Sequence, residues 1–526
     1  MASIPTFDFT KEKFNIIKQH RFGRNWPVVY IAENGREAYI GETTNLYSRS
    51  NQHQEKEERQ RLNNLHVITD EEFNKSAALD IESWLIQYMS ADGKFILQNG
   101  NRGLQNHNYF DREKYKAKFE IFWQKLLEEK ELVVHTLEYL KNTDLFKYSP
   151  YKSLSEDQLL IVKRILKDLR DESSKSFIVS GKPGTGKTVL ATYLFKYLKE
   201  QKETEDWNIG LVIPMTSLRK TLKKVFKNIK GLNPSMVLGP NEVVKKKFDL
   251  LIIDEAHRLR RRRNITNYRA FDFINHNLNL GNVGTELDWI KNFSERQLFF
   301  YDENQSVRPS DVRAEDFSKM NAKHYTLTSQ MRIQNSGEEF VNSVDHFFLN
   351  EDKNLDDISG YDFKIYEDIE LFISDIKKKN SDVGLSRIVA GYAWPWRTKK
   401  GIEDHDIKIG DTKLIWNTVA QDWVNSNNSI NEVGCIHTIQ GYDLNYVGVI
   451  IGPEIIYDTN TKKIIINRNQ YFDRNGHAGV TDPLELERYI INIYKTLMTR
   501  GIKGCYIYCV NEDLRERLKD FYLKSL

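Results

Sequence analysis

The segment Ser180–Thr188 constrains the fold of this chain more than any other part of its sequence. It reads Ser-Gly-Lys-Pro-Gly-Thr-Gly-Lys-Thr, follows the apolar Phe177–Val179 and precedes the helix-like Val189–Leu198. A strand, a glycine-rich turn and a helix in this order form a phosphate-binding loop, whose backbone N–H groups and helix N-terminus attract a phosphate chain. The alternative is an ordinary glycine-rich turn before a helix. The loop residues predicted to contact a nucleotide are Gly181, Pro183, Gly184, Thr185, Gly186, Lys187 and Thr188.

Four side chains within and beyond this loop predict a site for ATP and Mg²⁺. We expect Lys187 to reach the β- and γ-phosphates, and Thr188 to offer its hydroxyl to the metal ion. The apolar run Leu250–Ile253 leads into Asp254 and Glu255. Both carboxylates therefore follow the carboxyl end of a predicted strand, where ligands bind in open α/β sheets. Asp254 would hold the Mg²⁺, and Glu255 would activate the water that attacks the γ-phosphate.

Eight short apolar runs alternate with helix-like stretches after residue 149, which is typical of parallel sheets covered by helices on both faces. Eight strands are more than one small sheet contains, and 526 residues are too many for a single hydrophobic core. We therefore expect two α/β domains in this part of the chain. The runs are Ser176–Ser180, Ile209–Ile213, Leu250–Ile253, Leu298–Tyr301, Ser386–Ala390, Gly434–His437, Tyr446–Ile451 and Gly504–Cys509.

The composition excludes several classes of protein. Three cysteines, Cys435, Cys505 and Cys509, give neither a disulfide framework nor a zinc-ligand spacing. The chain has no signal-peptide pattern at its N-terminus and no run of about 18 apolar residues, so we expect a cytoplasmic protein without a membrane span. The net charge of +3 does not by itself indicate a nucleic-acid partner.

Five further segments, in the order in which they occur, resemble the motifs of superfamily 1 helicases. They are Gln158 in Leu-Ser-Glu-Asp-Gln, Asp302–Gln305, Thr328–Arg332, Gly434–Asp443 and Tyr494–Arg500. The resemblance implies that Gln158 reads adenine, that Gln305 senses the γ-phosphate, and that Arg332 and Arg500 act as arginine fingers. It also implies a nucleic-acid partner, with DNA favoured over RNA. Two positions depart from the family pattern: Tyr301 stands where glycine is usual, and Met498 where leucine is usual.

The N-terminal region from about Trp26 to Asn101 reads as strand, turn, strand, helix, helix, strand. Val28–Tyr30 and Ala38–Gly41 flank a predicted Asn-Gly hairpin turn, so their two tyrosines can point to one place. Arg49 and His53 lie four residues apart on a predicted helix. Glu82 shares a helical face with Leu79, Ile86 and Met89, where a carboxylate is costly unless it has a partner such as a metal ion.

This N-terminal pattern resembles the GIY-YIG nuclease domain, although its first triplet is Val-Val-Tyr. The resemblance implies that Tyr30 helps to deprotonate a water, that Arg49 stabilises phosphate charge and that Glu82 binds Mg²⁺ or Mn²⁺. Tyr39, His53 and an asparagine would assist; Asn99 is the preferred candidate and Asn101 its rival. The alternative is a degenerate domain that binds nucleic acid without cutting it.

Two clusters leave alternatives open. Arg258–Arg263 contains five arginines, which could hold a nucleic-acid backbone or form a solvated charged loop. Tyr392, Trp394, Trp396 and Arg397 could stack nucleobases, or the aromatic rings could fill the core at the end of a strand.

The sequence therefore predicts an α/β chain with four parts: a GIY-YIG-type domain over residues 1–105, a helical linker over 106–148, and two RecA-like motor domains over 149–350 and 351–526. Its predicted function is an ATP-dependent nucleic-acid translocase or helicase with a metal-dependent endonuclease, and analogy suggests bacterial defence or DNA repair. The alternative is an ATP-gated nucleic-acid-binding switch with an inactive nuclease-like domain.

Overall fold

The protein is described by a computed structural model that covers residues 3–100, 109–171, 174–333, 336–351, 357–401 and 404–522. The chain divides into two units. The first unit comprises Met1–Lys167, Thr188–Ile209 and Thr221–Val237, and the second comprises Asp168–Lys187, Gly210–Lys220 and Leu238–Leu526. The four-part division expected from the sequence stays a prediction.

A five-stranded sheet forms the first part of the first unit. Its strands are β1 (Thr6–Asp8), β2 (Val28–Glu33), β3 (Glu37–Thr43), β4 (Asn64–Ile68) and β5 (Ile96–Leu97), in the order β1-β4-β2-β3-β5. The predicted hairpin is present: β2 and β3 are antiparallel, with Tyr30 opposite Gly41 and Ala32 opposite Tyr39. Since alternate residues of a strand share one face, Tyr30 and Tyr39 lie on the same side of the sheet.

The strands β1 and β4 are absent from the prediction. Asn64–Ile68 is a five-residue run that follows a strongly charged segment. Such a short run carries too few residues to separate a strand from a helix by its periodicity. In the structure β4 pairs with both β1 and β2, so it lies inside the sheet.

Helices accompany this sheet between residues 14 and 168. They are α1 (Phe14–Gln19), α2 (Leu46–His53), α3 (Lys75–Asp92), α4 (Arg112–Glu128), α5 (Leu137–Lys141), α6 (Asp144–Lys147) and α7 (Glu156–Asp168). The predicted helical linker contains α4, where Phe119, Phe122, Trp123 and Leu126 are buried. Phe119 packs against Trp84 of α3, with ring centroids 5.4 Å apart. The predicted linker helix is therefore packed against the N-terminal domain.

The first parallel sheet of the second part of the chain carries the phosphate-binding loop. Its strands are β6 (Ser176–Gly181), β7 (Ile209–Val212), β8 (Val237–Leu238), β9 (Phe248–Ile253), β10 (Ser294–Tyr301) and β11 (Ala322–Leu327), in the order β11-β6-β10-β9-β7-β8. The four predicted runs correspond to β6, β7, β9 and β10, and β8 and β11 are additional. The helices along this stretch are α8 (Lys187–Lys199), α9 (Thr216–Lys227), α10 (Tyr268–Asn277), α11 (Glu286–Phe293) and α12 (Ala314–Ser318).

A second parallel sheet follows, in the order β12-β20-β17-β13-β16. The strands of this region are β12 (Asp362–Tyr366), β13 (Ser386–Ala390), β14 (Ile407–Ile409), β15 (Thr412–Leu414), β16 (Val433–Cys435), β17 (Leu444–Ile451), β18 (Ile455–Asp458), β19 (Lys463–Ile466) and β20 (Gly501–Cys509). The pairs β14–β15 and β18–β19 are separate antiparallel hairpins. The helices are α13 (Gly337–Phe348), α14 (Ile369–Val383), α15 (Ile436–Ile439), α16 (Arg474–His477), α17 (Pro483–Met498) and α18 (Glu512–Tyr522).

The strand predicted over Gly434–His437 is wrong in its second half. The strand ends at Cys435, and α15 begins at Ile436. The hydroxyl of Thr438 accepts from the backbone N–H of Cys435 over 3.1 Å, so it satisfies a donor at the start of the helix. Apolar residues lie on both sides of the strand end, so the sequence does not mark the change from strand to helix.

The second part of the chain is an α/β fold with two parallel sheets, as its sequence predicts. All three cysteines are buried and free. Among the residues described above, none of the helices is long and apolar enough to cross a lipid bilayer.

Candidate active sites

The phosphate-binding loop follows β6, and its glycines adopt backbone angles that side chains disfavour. Gly184 and Gly186 have φ angles of +87° and +80°. A Cβ atom on Gly184 would lie 1.9 Å from Oε1 of Gln330, so this position also lacks room for a side chain. The backbone O of Gly184 accepts hydrogen bonds from the N–H groups of Met331 and Arg332. The segment Thr328–Arg332 thus packs directly on the loop.

Lys187 is buried and holds its ammonium group inside the loop. Its Nζ donates to the backbone O of Gly181 over 2.6 Å and of Lys182 over 3.1 Å, and lies 3.2 Å from Oδ2 of Asp302. An ammonium has three protons, and three acceptors surround it here. This arrangement fits the binding of a phosphate chain, because phosphate oxygens can replace the carbonyl oxygens as acceptors.

Asp254 and Glu255 follow β9, as predicted. Asp254 is 1% exposed and its N–H donates to the backbone O of Val212 over 3.1 Å. Glu255 adopts a left-handed backbone angle, with φ of +54°, and its Oε2 lies 2.9 Å from Nε2 of His257. Burial opposes ionisation of Glu255, but the contact with His257 and the charges of Arg500 and Lys187 lower its pKa. Glu255 is therefore held as a carboxylate, the form that a general base needs.

A continuous set of polar contacts runs from Lys187 to Arg500. Nε2 of Gln305 donates to Oδ2 of Asp302 over 2.7 Å, and that same oxygen lies 3.2 Å from Lys187. Nη2 of Arg500 donates to Oε1 of Gln305 over 2.9 Å. Nε2 of Gln440 also donates to the backbone O of Gln305, over 3.3 Å. The loop after β10 is thus joined on one side to the phosphate-binding loop and on the other to the second parallel sheet.

Tyr301, which departs from the family pattern, does not disturb this loop. Its ring packs against Phe317, with centroids 4.3 Å apart, and the residue is 9% exposed. The tyrosine therefore fills the core on the side of β10 and leaves Asp302 next to Lys187.

Arg332 contacts the second sheet region. Its Nε lies 2.5 Å from Oδ1 of Asp443, and its Nη1 donates to the backbone O of Thr499 over 3.3 Å. The structure therefore brings Arg332 close to both the phosphate-binding loop and the start of β20. Its role as an arginine finger stays a prediction.

Gln158 and Thr188, which belong to the first unit, lie at the beginnings of helices. Oε1 of Gln158 accepts from the backbone N–H of Ser155 over 3.1 Å, so this amide fixes the start of α7. Thr188 is the second residue of α8 and is half-buried. Their predicted contacts with adenine and with Mg²⁺ stay predictions.

The arginines of Arg258–Arg263 form ion pairs within the protein, and those after Arg258 stay partly exposed. The partner is Asp311 for Arg258 at 2.8 Å, Glu286 for Arg260 at 2.6 Å and Asp272 for Arg262 at 2.5 Å. Arg261 and Arg263 both pair with Glu485 of α17, at 3.4 and 3.3 Å. These carboxylates neutralise much of the positive charge that suggested a nucleic-acid backbone.

The aromatic cluster packs into the core. Tyr392, Trp394 and Trp396 surround the fully buried Trp416, with ring centroids 5.5, 6.4 and 6.3 Å away. The hydroxyl of Tyr392 donates to Sγ of Cys435 over 3.4 Å. Core filling therefore explains these rings without a stacked base.

A cavity of about 490 Å³ lies beside the loop after β10. Arginines line one part of it, and His437 of α15 and Gln440 at the end of this helix line another. Nε2 of His437 lies 2.9 Å from Oδ2 of Asp473, while burial and the charge of Arg308 lower the pKa of His437 to about 4. The Nε of Arg308 is buried and lacks a hydrogen-bond partner among the described residues. The arginines are Arg219, Arg258, Arg260 and Arg308.

The N-terminal candidate site brings four predicted residues together on one face of the sheet. Nε2 of His53 lies 2.6 Å from the hydroxyl oxygen of Tyr30, to which Nε of Arg49 donates over 3.3 Å. The rings of Tyr39 and His53 are 4.9 Å apart. A Cβ on Gly41 would lie 2.3 Å from the Tyr30 hydroxyl, so only glycine leaves room for it.

Glu82 and Asn99 lie in different environments: the Glu82 carboxyl is near another carboxylate, and the Asn99 amide is hydrogen-bonded to a strand. Burial, with the nearby charge of Glu42, raises the pKa of Glu82 to about 7. Lys75 pairs with Glu42 beside it. Among the described residues no group of three or more His, Cys, Asp or Glu side chains could hold a metal ion, so the metal-ligand role of Glu82 stays a prediction. Asn99 is paired through its amide with both backbone groups of Ile40, at 3.0 and 2.7 Å, and so fixes β3. Asn101 lies outside the described residues.

Sequence reasoning missed Arg59. Its guanidinium carbon lies 3.7 Å from the centre of the Tyr39 ring, and its Nη1 lies 2.6 Å from Nδ1 of His53. Arg59 belongs to the charged run Glu-Lys-Glu-Glu-Arg-Gln-Arg. Charge runs usually remain in solvent, so no local pattern separates this arginine from its neighbours.

The parallel sheets, the glycine-rich loop after β6 and the acidic residues after β9 define an α/β domain with a phosphate-binding loop. A family model described as "Schlafen group 3, DNA/RNA helicase domain" matches residues 174–511. Because this match covers more than half of the chain, the protein belongs to that family.

One curated relative and two solved structures give further similarities. An uncharacterized protein of Saccharomyces cerevisiae is 28% identical over 425 residues, which span 70% of this chain and 90% of the relative. A Bacteroides Pif1 helicase solved with ADP-AlF3 and single-stranded DNA is 15% identical, covers 69% of this chain and 96% of its own, and has a TM-score of 0.28. The Pif1 helicase of Candida albicans is 12% identical, with coverages of 70% and 99% and a TM-score of 0.28.

Proposed function

We propose that this protein is an ATP-dependent nucleic-acid motor. The observation that carries the proposal is the set of contacts from Lys187 through Asp302 and Gln305 to Arg500. It links the loop that would hold the phosphates to an arginine of the second sheet region. Loss of the γ-phosphate would change the contacts of Lys187 at one end, and the second sheet region would respond at the other.

ATP would be held by the backbone N–H groups and Lys187 of the loop, and Mg²⁺ by Thr188 and Asp254. When bound, the metal ion would neutralise phosphate charge. Glu255 would accept a proton from the attacking water, because it is held as a carboxylate. Arg500 is 1% exposed and would stabilise charge on the transferred phosphoryl group.

The nucleic-acid strand would bind in the cavity of about 490 Å³. Arg308 carries a buried Nε without a partner among the described residues, and Arg219 lines the same cavity. Phosphate oxygens are acceptors that satisfy such donors. DNA is favoured over RNA only by the resemblance seen in the sequence.

For the N-terminal domain we propose a metal-dependent endonuclease of the GIY-YIG type. The juxtaposition of Tyr30, Arg49 and His53, with the half-buried Glu82 nearby, supports it. Glu82 would bind Mg²⁺ or Mn²⁺, and the ion would polarise the scissile phosphate. The ATP-gated switch with an inactive domain is the second candidate, because Tyr30 is only 1% exposed and its first triplet lacks glycine.

One experiment tests both proposals. ATP turnover by the purified chain is measured in Mg²⁺ without nucleic acid and with single-stranded DNA, duplex DNA or RNA, and the same samples are run on a gel. Stimulation of turnover by one nucleic acid supports the motor and names its substrate. Cleavage that requires Mg²⁺ or Mn²⁺ supports the nuclease. Turnover that no nucleic acid stimulates contradicts the motor, and stimulated turnover without cleavage in either metal favours the switch.

A further inference from the structure

Arg59 faces the one nitrogen of His53 that Tyr30 does not contact. Its Nη1 lies 2.6 Å from Nδ1 of His53, while Nε2 of the same ring lies 2.6 Å from the Tyr30 hydroxyl oxygen. His53 is 2% exposed and Arg59 is half-buried. The imidazole is therefore held between a guanidinium and a phenol, and neither nitrogen faces solvent.

This geometry decides where the proton of His53 resides. A guanidinium has only donors and stays protonated in proteins, so the nitrogen that it faces must accept. Nδ1 therefore carries no proton, which excludes both the imidazolium and the Nδ1–H tautomer. The neutral ring then carries its proton on Nε2 and donates to Tyr30. Consistent with a neutral ring, burial and the charges of Arg59 and Arg49 lower the pKa of His53 to about 3.

We propose that Arg59 is a positioning residue that fixes His53 as a hydrogen-bond donor to Tyr30. His53 is then neither a base nor a proton shuttle, because Nε2 already holds a proton and Nδ1 is occupied by Arg59. The cation also lies over the Tyr39 ring, 3.7 Å from its centre, so one side chain restrains two residues of the site.

The protonation of His53 determines the hydrogen bonds of the Tyr30 hydroxyl. Its oxygen accepts from His53 and from Nε of Arg49, which lies 3.3 Å away. Burial raises the pKa of Tyr30, so the phenol keeps its own proton in the free protein. With two donors aimed at the oxygen, that proton must point away from both. The same two donors would stabilise the phenolate once the proton leaves, which is what a tyrosine acting on a water requires.

The tautomer can be measured without any nuclease activity. In the full chain labelled with ¹⁵N-histidine, and with the His53 signal assigned by His53→Gln, we expect an unprotonated Nδ1 and a protonated Nε2. In Arg59→Leu we expect a mixture of tautomers and a ring that titrates closer to its ordinary pKa. Arg61→Leu removes an exposed arginine two residues away and should leave the spectrum unchanged. A protonated Nδ1 in the unmodified chain, or an unchanged His53 spectrum in Arg59→Leu, overturns the proposal.

The catalytic consequence rests on the proposed nuclease function and is tested separately. Loss of a residue that orients a metal ligand commonly costs about 10- to 100-fold in activity, and we apply the same scale to a residue that orients His53. We expect Arg59→Leu to lower kcat for cleavage by that factor with KM little changed, Arg59→Lys to retain part of it, and Arg61→Leu to retain all. If Arg59→Leu does not fold, Arg59→Met, which also lacks a donor, serves for both measurements. If the unmodified chain cuts nothing, the nuclease proposal fails while the histidine spectrum still decides the role of Arg59.

Discussion

Nη2 of Arg500 donates a hydrogen bond to Oε1 of Gln305 over 2.9 Å. Arg500 lies between α17 and β20, and Gln305 lies in the loop after β10, so this bond joins the two parallel sheets of the second unit. Arg500 is among the largest fully buried side chains. A buried guanidinium needs partners, and Gln305 provides one. The charge of Arg500 also contributes to the lowered pKa of Glu255. In the proposed motor, Arg500 would therefore transmit a change at the phosphate-binding loop to the second parallel sheet.

Replacement of Arg500 should separate ATP binding from ATP hydrolysis. We expect Arg500→Ala to lower kcat for ATP about 1000-fold while the binding of a fluorescent ATP analogue stays within a few fold, because an arginine finger acts on the transition state. Arg500→Lys keeps the charge but loses the forked donors, so it should recover only part of the rate. A loss of analogue binding as large as the loss of kcat would contradict this role.

Lys187 should be required for hydrolysis, whereas its neighbour Lys182 should not. Lys187 is buried within the loop, and Lys182 is exposed and donates to Oδ1 of Asn342 over 2.6 Å. We expect Lys187→Ala to reduce ATP turnover by about 100-fold or more, because it removes a donor to the transferring phosphate. Lys182→Ala is the matched control and should retain most of the turnover. Equal rates for the two variants would remove Lys187 from the site.

A strand could be predicted from the sequence where neighbouring residues alone mark its ends and its apolar character. Ser386–Ala390 was predicted as a strand with the bounds that β13 has, since glycines close to both ends interrupt the apolar run. In contrast, β11 (Ala322–Leu327) contains lysine and histidine and lies at the edge of its sheet, so its sequence carries no apolar run. Only its pairing with β6 makes it a strand.

Among the residues of the candidate sites, too, only those marked by their neighbours in the sequence could be predicted. The loop residues around Lys187 are contiguous in sequence and could be recognised from their spacing alone. The partners of Arg261 and Arg263 could not, because Glu485 lies more than 200 residues further along the chain. Arg59 was missed for a similar reason, since its contact with His53 depends on the fold of the charged segment after α2.

Glu82 should control cleavage without affecting the motor. We expect Glu82→Gln to reduce metal-dependent cleavage by at least about 100-fold, because an amide cannot supply the negative charge that a metal ligand provides here. ATP turnover should stay unchanged. Glu71→Gln changes an exposed glutamate that pairs with Arg21 and is the control. Cleavage that persists in Glu82→Gln would exclude Glu82 as a metal ligand.

Arg308 and Arg262 should differ in their effect on nucleic-acid binding. Arg308 lines the cavity, and its Nε has no partner among the described residues, whereas Arg262 is neutralised by Asp272. We expect Arg308→Ala to weaken binding and to reduce the slope of log affinity against log salt by about 1, the change for one lost phosphate contact. Arg262→Ala should change neither quantity. The reverse result would locate the strand at the arginine-rich loop instead of in the cavity.

Glu454 should make the stability of the second unit depend on pH. It is fully buried, accepts from the Tyr494 hydroxyl over 2.6 Å and has a second oxygen without a hydrogen-bond partner among the described residues. Burial raises the pKa of Glu454 from 4.5 to about 7. The unfolded chain therefore loses this proton at lower pH than the folded chain. Stability should fall as pH rises from about 4.5 to about 7, by about 3 kcal/mol, and this contribution should stay constant above that range.

Glu454→Gln removes the titration and keeps an oxygen for Tyr494. We expect the midpoint of thermal unfolding of this variant to exceed that of the unmodified chain by on the order of 5 °C at pH 7.5, and the difference to shrink towards pH 5. Tyr494→Phe keeps the ring but removes the hydroxyl that favours the carboxylate, so its pH-dependent loss should be larger. Parallel curves for the unmodified chain and Glu454→Gln between pH 5 and 7.5 would mean that Glu454 does not change its protonation over this range. In that case its charge must be satisfied in the folded protein.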